Sequence, residues 1–75
     1  MKLRVNRIYT LMEKVFKITK IESFYVECEL FDFDKDEFIK NGELYRNSIF
    51  NDFCKKATYI ERELFYRAAN EEEIK

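Results

Sequence analysis

A single glycine and the complete absence of proline constrain this chain more than any other feature. These two residues set the tight turns of small all-β proteins, because glycine reaches positive φ and proline fixes φ near −65°. A turn-rich barrel is therefore disfavoured, and hairpins joined to a helix fit better. The same scarcity bears on chemistry. With Gly42 alone, neither a phosphate-cradling Walker loop nor a glycine-rich dinucleotide turn can be written. The chain also has no histidine, which removes the common general base and the Ser-His and Cys-His pairs. Paired-carboxylate chemistry remains possible on paper but needs a deep cleft. The expectation is a non-enzymatic protein.

With 75 residues there is room for one domain, spanning 1–75, and one small core. Thirteen aromatics (eight Phe and five Tyr) exceed what so small a core readily hides, and a surplus outside would serve as a binding patch. The formal net charge is −1, but charge is unevenly distributed. Lys2, Arg4, Arg7, Lys14, Lys17 and Lys20 face only Glu13 within residues 1–20. Residues 22–43 then carry Glu22, Glu27, Glu29, Asp32, Asp34, Asp36, Glu37 and Glu43 against Lys35 and Lys40. Opposite charges in consecutive segments suit strands that pair across a sheet. Cys28 and Cys54 lack CxxC spacing and histidine co-ligands, so buried free thiols are expected in preference to zinc, and no cofactor or metal is assigned. No run approaches 18 apolar residues and the N-terminus lacks a signal-peptide core. The expected location is cytoplasmic, without membrane association. Heavy use of Lys, Ile, Asn, Phe, Tyr and Glu points to an AT-rich genome, that of a bacterium or its phage.

The period-two pattern predicts a β-hairpin over 14–31. In the first strand Phe16 and Ile18 share one face, and in the second Phe24, Val26, Cys28 and Leu30 share one face. A loop at Ile21-Glu22-Ser23 would pair Ile18 with Val26, Phe16 with Cys28 and Lys17 with Glu27. A competing reading places Ile21, Phe24, Cys28 and Phe31 on a helix face, leaving 21–31 open between strand and helix. Residues Arg4 to Leu11 are expected to add a strand, and Asn41-Gly42 reads as a hairpin turn between short runs. From Asn47 the period changes. Ile49, Phe53, Ala57, Ile60, Leu64 and Ala68 mark the apolar face of one long helix over about 48–70, widened by Phe50, Cys54 and Phe65. Ser48 would cap it, Asp52 would sit in its early turns, and Glu71–Glu73 would fray its end. The fold class is α+β: a three- or four-stranded antiparallel sheet, hairpin 14–31 central, packed by that helix.

Asp32, Asp34, Asp36 and Glu43 occupy positions one, three, five and twelve of a segment that resembles an EF-hand calcium loop, with Ile39 at its apolar eighth position. Glu37 stands where that loop requires glycine, and Lys40 puts a cation at the ninth position. The resemblance implies a calcium site flanked by helices; the competing reading is an acidic turn leaving a strand.

On the helix, Lys55, Tyr59, Arg62 and Tyr66 fall on one polar stripe of alternating basic and aromatic residues. Tyrosine and arginine are typical anchors of protein interfaces. The leading expectation is a small regulatory or inhibitory protein that binds another protein, or forms a homodimer, through this stripe. The alternative is a nucleic-acid-binding module adding Arg4, Arg7, Lys17 and Lys20 to it. The net charge and the neighbouring Glu63 favour protein.

Overall fold

The computed structural model describes residues 2–74. The chain runs β1 (Ile8–Leu11), β2 (Lys14–Ile21), β3 (Tyr25–Asp32), β4 (Glu37–Tyr45), α1 (Ser48–Phe53), β5 (Lys55–Lys56) and α2 (Tyr59–Ile74). The five strands form one open antiparallel sheet in the order β4-β3-β2-β1-β5. The architecture is α+β, with the 14–31 hairpin inside the sheet and a C-terminal helix packed on it.

The sheet is covered on both faces, which is why adjacent Val15 and Phe16 in β2 are both fully buried. On one face Tyr9, Phe16, Ile18, Val26, Cys28 and Leu30 pack with Phe50 and Cys54. Ile8, Val15 and Ala57 pack on the other with Phe65 of α2, flanked by Phe31 and Phe38. Within 21–31, Glu22–Phe24 form a turn and Tyr25 onward is strand rather than helix, because Val26, Cys28 and Leu30 alternate with half-exposed neighbours.

The hairpin register differs from expectation by two residues. Ile18 pairs with Cys28, Phe16 with Leu30 and Lys17 with Glu29, and past a bulge after Ile18 the pairing becomes Lys20–Glu27 and Ile21–Val26. The turn lies one residue later, where the Glu22 N–H donates to the Tyr25 carbonyl at 2.9 Å. A shift of two keeps every side chain on its face, so the hydrophobic pattern does not select between the two registers. Phe24 is carried onto the turn and is exposed.

Asn41-Gly42 is not a turn. It lies within β4 at a bulge, where Cys28 faces Gly42 and Leu30 faces Ile39. A Cβ on Gly42 would stand 3.3 Å from the Cys28 carbonyl oxygen, so glycine serves close strand approach here. The turn forms instead at Phe33–Asp36. There Asp32 Oδ1 accepts the N–H groups of Asp34 (3.1 Å) and Lys35 (3.2 Å), and Asp36 takes φ 52°. The acidic segment is thus a hairpin turn between strands, and the helices that a calcium loop requires are absent from its flanks. Among the described residues, no cluster of three or more His, Cys, Asp or Glu is placed to hold a metal ion.

At the N-terminus β1 is confined to Ile8–Leu11. Asn6 adopts φ 69°, a conformation its short polar side chain tolerates, and residues 4–7 turn.

The expected single helix is two helices separated by a strand. Asn47, not Ser48, caps α1 through its Oδ1 on the Phe50 N–H at 3.0 Å. Cys54 leaves the helix at φ −70°, ψ 128°. Lys55 and Lys56 then pair with Thr10 and Tyr9, occupying the edge that β1 leaves open. Thr58 and Glu61 form a reciprocal capping box: the Thr58 N–H donates to Glu61 Oε1 (2.8 Å) and the Glu61 N–H to Thr58 Oγ1 (3.3 Å). With the break, the apolar face rotates. Phe50, Cys54, Phe65 and Ala68 are buried, whereas Ile49, Phe53, Ile60 and Leu64 lie 50%, 53%, 72% and 36% exposed. The helix continues to Ile74 rather than fraying after Asn70. Alanine and glutamate are strong helix formers, and this outweighs an unfavourable dipole term of about 0.3–1 kcal/mol per charge. Among the described residues no helix is long and apolar enough to cross a membrane.

Thr58→Ala removes one half of the capping box. Urea denaturation should show a loss of about 1 kcal/mol, with the helix signal retained in the folded baseline.

Candidate functional site

The break between α1 and α2 also assembles the main surface feature. The N-terminal segment is tied to the sheet by three backbone or hydroxyl bonds. The Asn6 N–H donates to the Ile18 carbonyl (2.7 Å), the Ile18 N–H to the Arg7 carbonyl (3.1 Å) and the Arg4 N–H to the Tyr9 hydroxyl (2.9 Å). β5 is held by its pairing with β1, and the Ala57 N–H donates to the Ile8 carbonyl at 3.1 Å. The first turn of α2 closes the third side, where Arg62 Nη1 donates to the Ala57 carbonyl at 3.2 Å.

Between these three pieces lies a cleft of about 720 Å³. Its charged lining is entirely cationic: Lys2, Arg4, Arg7, Lys56 and Arg62. Among the described residues, none of the five makes an ion pair. Glu61 and Glu63 flank Arg62 in sequence, and Glu61 has its carboxylate turned onto the Thr58 backbone. Five uncompensated cations around a concavity focus a positive potential and raise the local concentration of anionic groups. The Arg62 guanidinium sits 6.0 Å from the centre of the Tyr59 ring, a cation–π distance, and Tyr59 is exposed.

The structure separates the members of the expected stripe. Tyr59, Arg62 and Tyr66 are on α2, but Lys55 is in β5. Strand alternation turns Lys55 to the face opposite Lys56, and only Lys56 lines the cleft. Tyr59 and Arg62 stay together. Tyr66 instead meets Phe65 edge-on at 5.5 Å and takes the Lys17 ammonium over its ring at 6.0 Å, so it belongs to the helix–sheet contact. Of the N-terminal cations considered for nucleic acid, Arg4 and Arg7 reach the cleft. Lys20 is held by Glu22 (2.9 Å) and Glu27 (4.0 Å), and the Glu22 hydrogen bond and charge raise its pKa. Lys2 and Lys56 were not singled out from the sequence. The signal available for Lys56 was a Lys-Lys pair immediately before the Thr58-x-x-Glu61 capping box.

A second concavity, about 380 Å³, lies over β3 and β4 and has the opposite character. Glu27 and Glu43 face each other across the strands there, with Glu29 and Lys40 beside them. Charge is therefore segregated to opposite sides of the sheet.

Cys28 and Cys54 are free and buried. Burial pushes the Cys28 thiol up to about 12 and the Cys54 thiol up to about 11. Both stay protonated at neutral pH and lack nucleophilic thiolate. Because the folded pKa values exceed the unfolded value, the linked stability is intact below about pH 9 and falls as pH rises toward 11–12. At pH 8 a thiol-specific chromogenic reagent should titrate both cysteines in urea and neither rapidly in the native protein. Prompt native reaction would contradict their burial.

Comparison of the chain with protein-family models, curated proteins and solved structures gives no match.

Proposed function

We propose that this chain is a non-enzymatic interaction module, regulatory or inhibitory in role, that binds an acidic segment of a partner protein in the cation-lined cleft. The observation that carries the reading is the convergence of Arg4, Arg7, Lys56 and Arg62 with no ion-paired carboxylate. Tyr59 and Ile60 stand exposed in the first turn of α2, within three positions of Arg62 in the chain. Apolar anchors adjoining arginine are the usual composition of a protein hot spot. The acidic concavity over β3 and β4 would repel a long polyanion tracking over the domain, and the formal net charge of −1 gives no general affinity for nucleic acid.

A second reading, a short single-stranded nucleic acid, is favoured by the combination of an all-cation lining with Tyr59 as a stacking platform. The discriminating experiment compares the wild-type protein with an Arg7→Glu, Arg62→Glu variant as baits for quantitative mass spectrometry. In parallel, both are titrated against single-stranded oligonucleotides over a range of salt. A protein captured by wild type and lost from the variant supports the leading reading. Oligonucleotide binding that weakens steeply with salt, with no such protein, replaces it by the second.

A further inference from the structure

The strand β4 closes one side of the sheet, and its outer row of N–H and C=O groups has no strand partner among the described residues. It is nine residues long, a length that native proteins ordinarily blunt or cover. We infer that β4 pairs antiparallel with β4 of a second copy of this chain, about a twofold axis through Gly42.

The bulge makes this register possible. Two steps along β3, Cys28 to Leu30, correspond to three steps along β4, Gly42 back to Ile39. Ile39 and Leu44 therefore lie equal strand distances on either side of Gly42. Both also pack toward the same core. A twofold axis normal to the sheet then sets Ile39 opposite Leu44 of the partner subunit and Phe38 opposite Tyr45 of the partner subunit. It sets Lys40 opposite Glu43 of the partner subunit. Just past the strand end, Arg46 meets Glu37 of the partner subunit. Apolar groups face apolar groups and cations face carboxylates, each pair occurring twice by symmetry. Without the bulge, Ile39 and Leu44 would fall on opposite faces of the strand and the match would fail. The exposed Tyr45, which already meets Tyr25 edge-on at 6.5 Å, would gain a neighbour from the partner subunit. Since β5 is the opposite edge, the dimer would carry its two cationic clefts at the outer ends of one continuous sheet.

Sedimentation velocity over a hundredfold concentration range at low salt tests the inference. Wild type should approach the mass of two chains as concentration rises. Lys40→Glu and Glu43→Lys should each weaken association about tenfold, since each reversal sets like charges opposite at two symmetric places. The combined Lys40→Glu, Glu43→Lys swap should restore it. Glu43→Lys also removes the like-charge contact with Glu27, so circular dichroism should show it folded and its monomeric mass would not reflect unfolding. A monomer at every concentration, single reversals that leave a dimer unchanged, or a swap that fails to restore association would each overturn the proposal.

Discussion

Phe16→Ala should cost about 3–5 kcal/mol, the range for truncating a buried aromatic where neighbours only partly collapse. Phe16 is completely buried in the central strand β2, with the rings of Tyr9 and Phe50 each 6.0 Å away. It joins β1, β2 and α1 in one cluster. A domain of this size holds only some 4–11 kcal/mol at about 0.05–0.15 kcal/mol per residue, so most of its stability should vanish. Urea denaturation followed by far-UV circular dichroism reads the effect as a large fall in midpoint, or as a chain already unfolded in buffer. Phe24→Ala is the matched control. Phe24 lies on the β2–β3 turn, 81% exposed, and its truncation should change stability by no more than about 0.5 kcal/mol. Equal losses at the two positions would show that the hairpin register is wrong.

Reversing two charges in the cleft, Arg7→Glu with Arg62→Glu, should weaken partner capture by at least about a hundredfold, taking roughly 2 kcal/mol for each arginine anchor. The mechanism is twofold: each change deletes an attraction and adds a repulsion toward an acidic segment. Arg62 has a second role, because its guanidinium holds the Ala57 carbonyl and lies over Tyr59. Urea denaturation of the variant must therefore accompany the binding measurement, and a stability loss of about 1 kcal/mol is expected from the lost hydrogen bond. Lys55→Glu separates site from net charge. It removes a cation one residue away from Lys56, but on the opposite face of β5, and should leave capture within about threefold of wild type if the contribution of a remote surface charge is a few tenths of a kcal/mol. Were Lys55→Glu as damaging as the cleft reversal, general basicity rather than the cleft would account for binding.

The rotation of the helices accounts for part of the exposed aromatic surplus, Phe53 and Tyr59, while Phe24, Phe33 and Tyr45 are exposed on the sheet and its turns. Ile49, Phe53, Tyr59 and Ile60 remain outside because α1 and α2 each bury a narrow line, Phe50 with Cys54 and Phe65 with Ala68. Continuous helical spacing from Ile49 to Ala68 is present in the sequence, yet local spacing does not reveal a two-residue strand. Lys55 and Lys56 are held by bonds to Thr10 and Tyr9, more than forty positions away, and no local pattern encodes that pairing. The capping box at Thr58 was the one local mark that a helix begins there. Asn41-Gly42 misled for a related reason, since the glycine answers to the Cys28 carbonyl on the neighbouring strand rather than to a turn.

Alternation in 14–31 favoured antiparallel strands and set the faces of Phe16, Ile18, Val26, Cys28 and Leu30, with a helical reading of 21–31 left open, and the spacing after Asn47 marked a C-terminal helix. Those features depend on side-chain period, which is local and which a shift of two residues leaves intact. Register, the bulges, the strand between the helices and the cationic cleft were decided only by tertiary structure. Each arises from contacts between residues distant in sequence, and the cleft in particular exists because Arg4, Arg7, Lys56 and Arg62 are brought together by strand pairing and helix docking. The one glycine illustrates the division: its rarity shaped the choice of fold, and its position at the β4 bulge has meaning only beside β3.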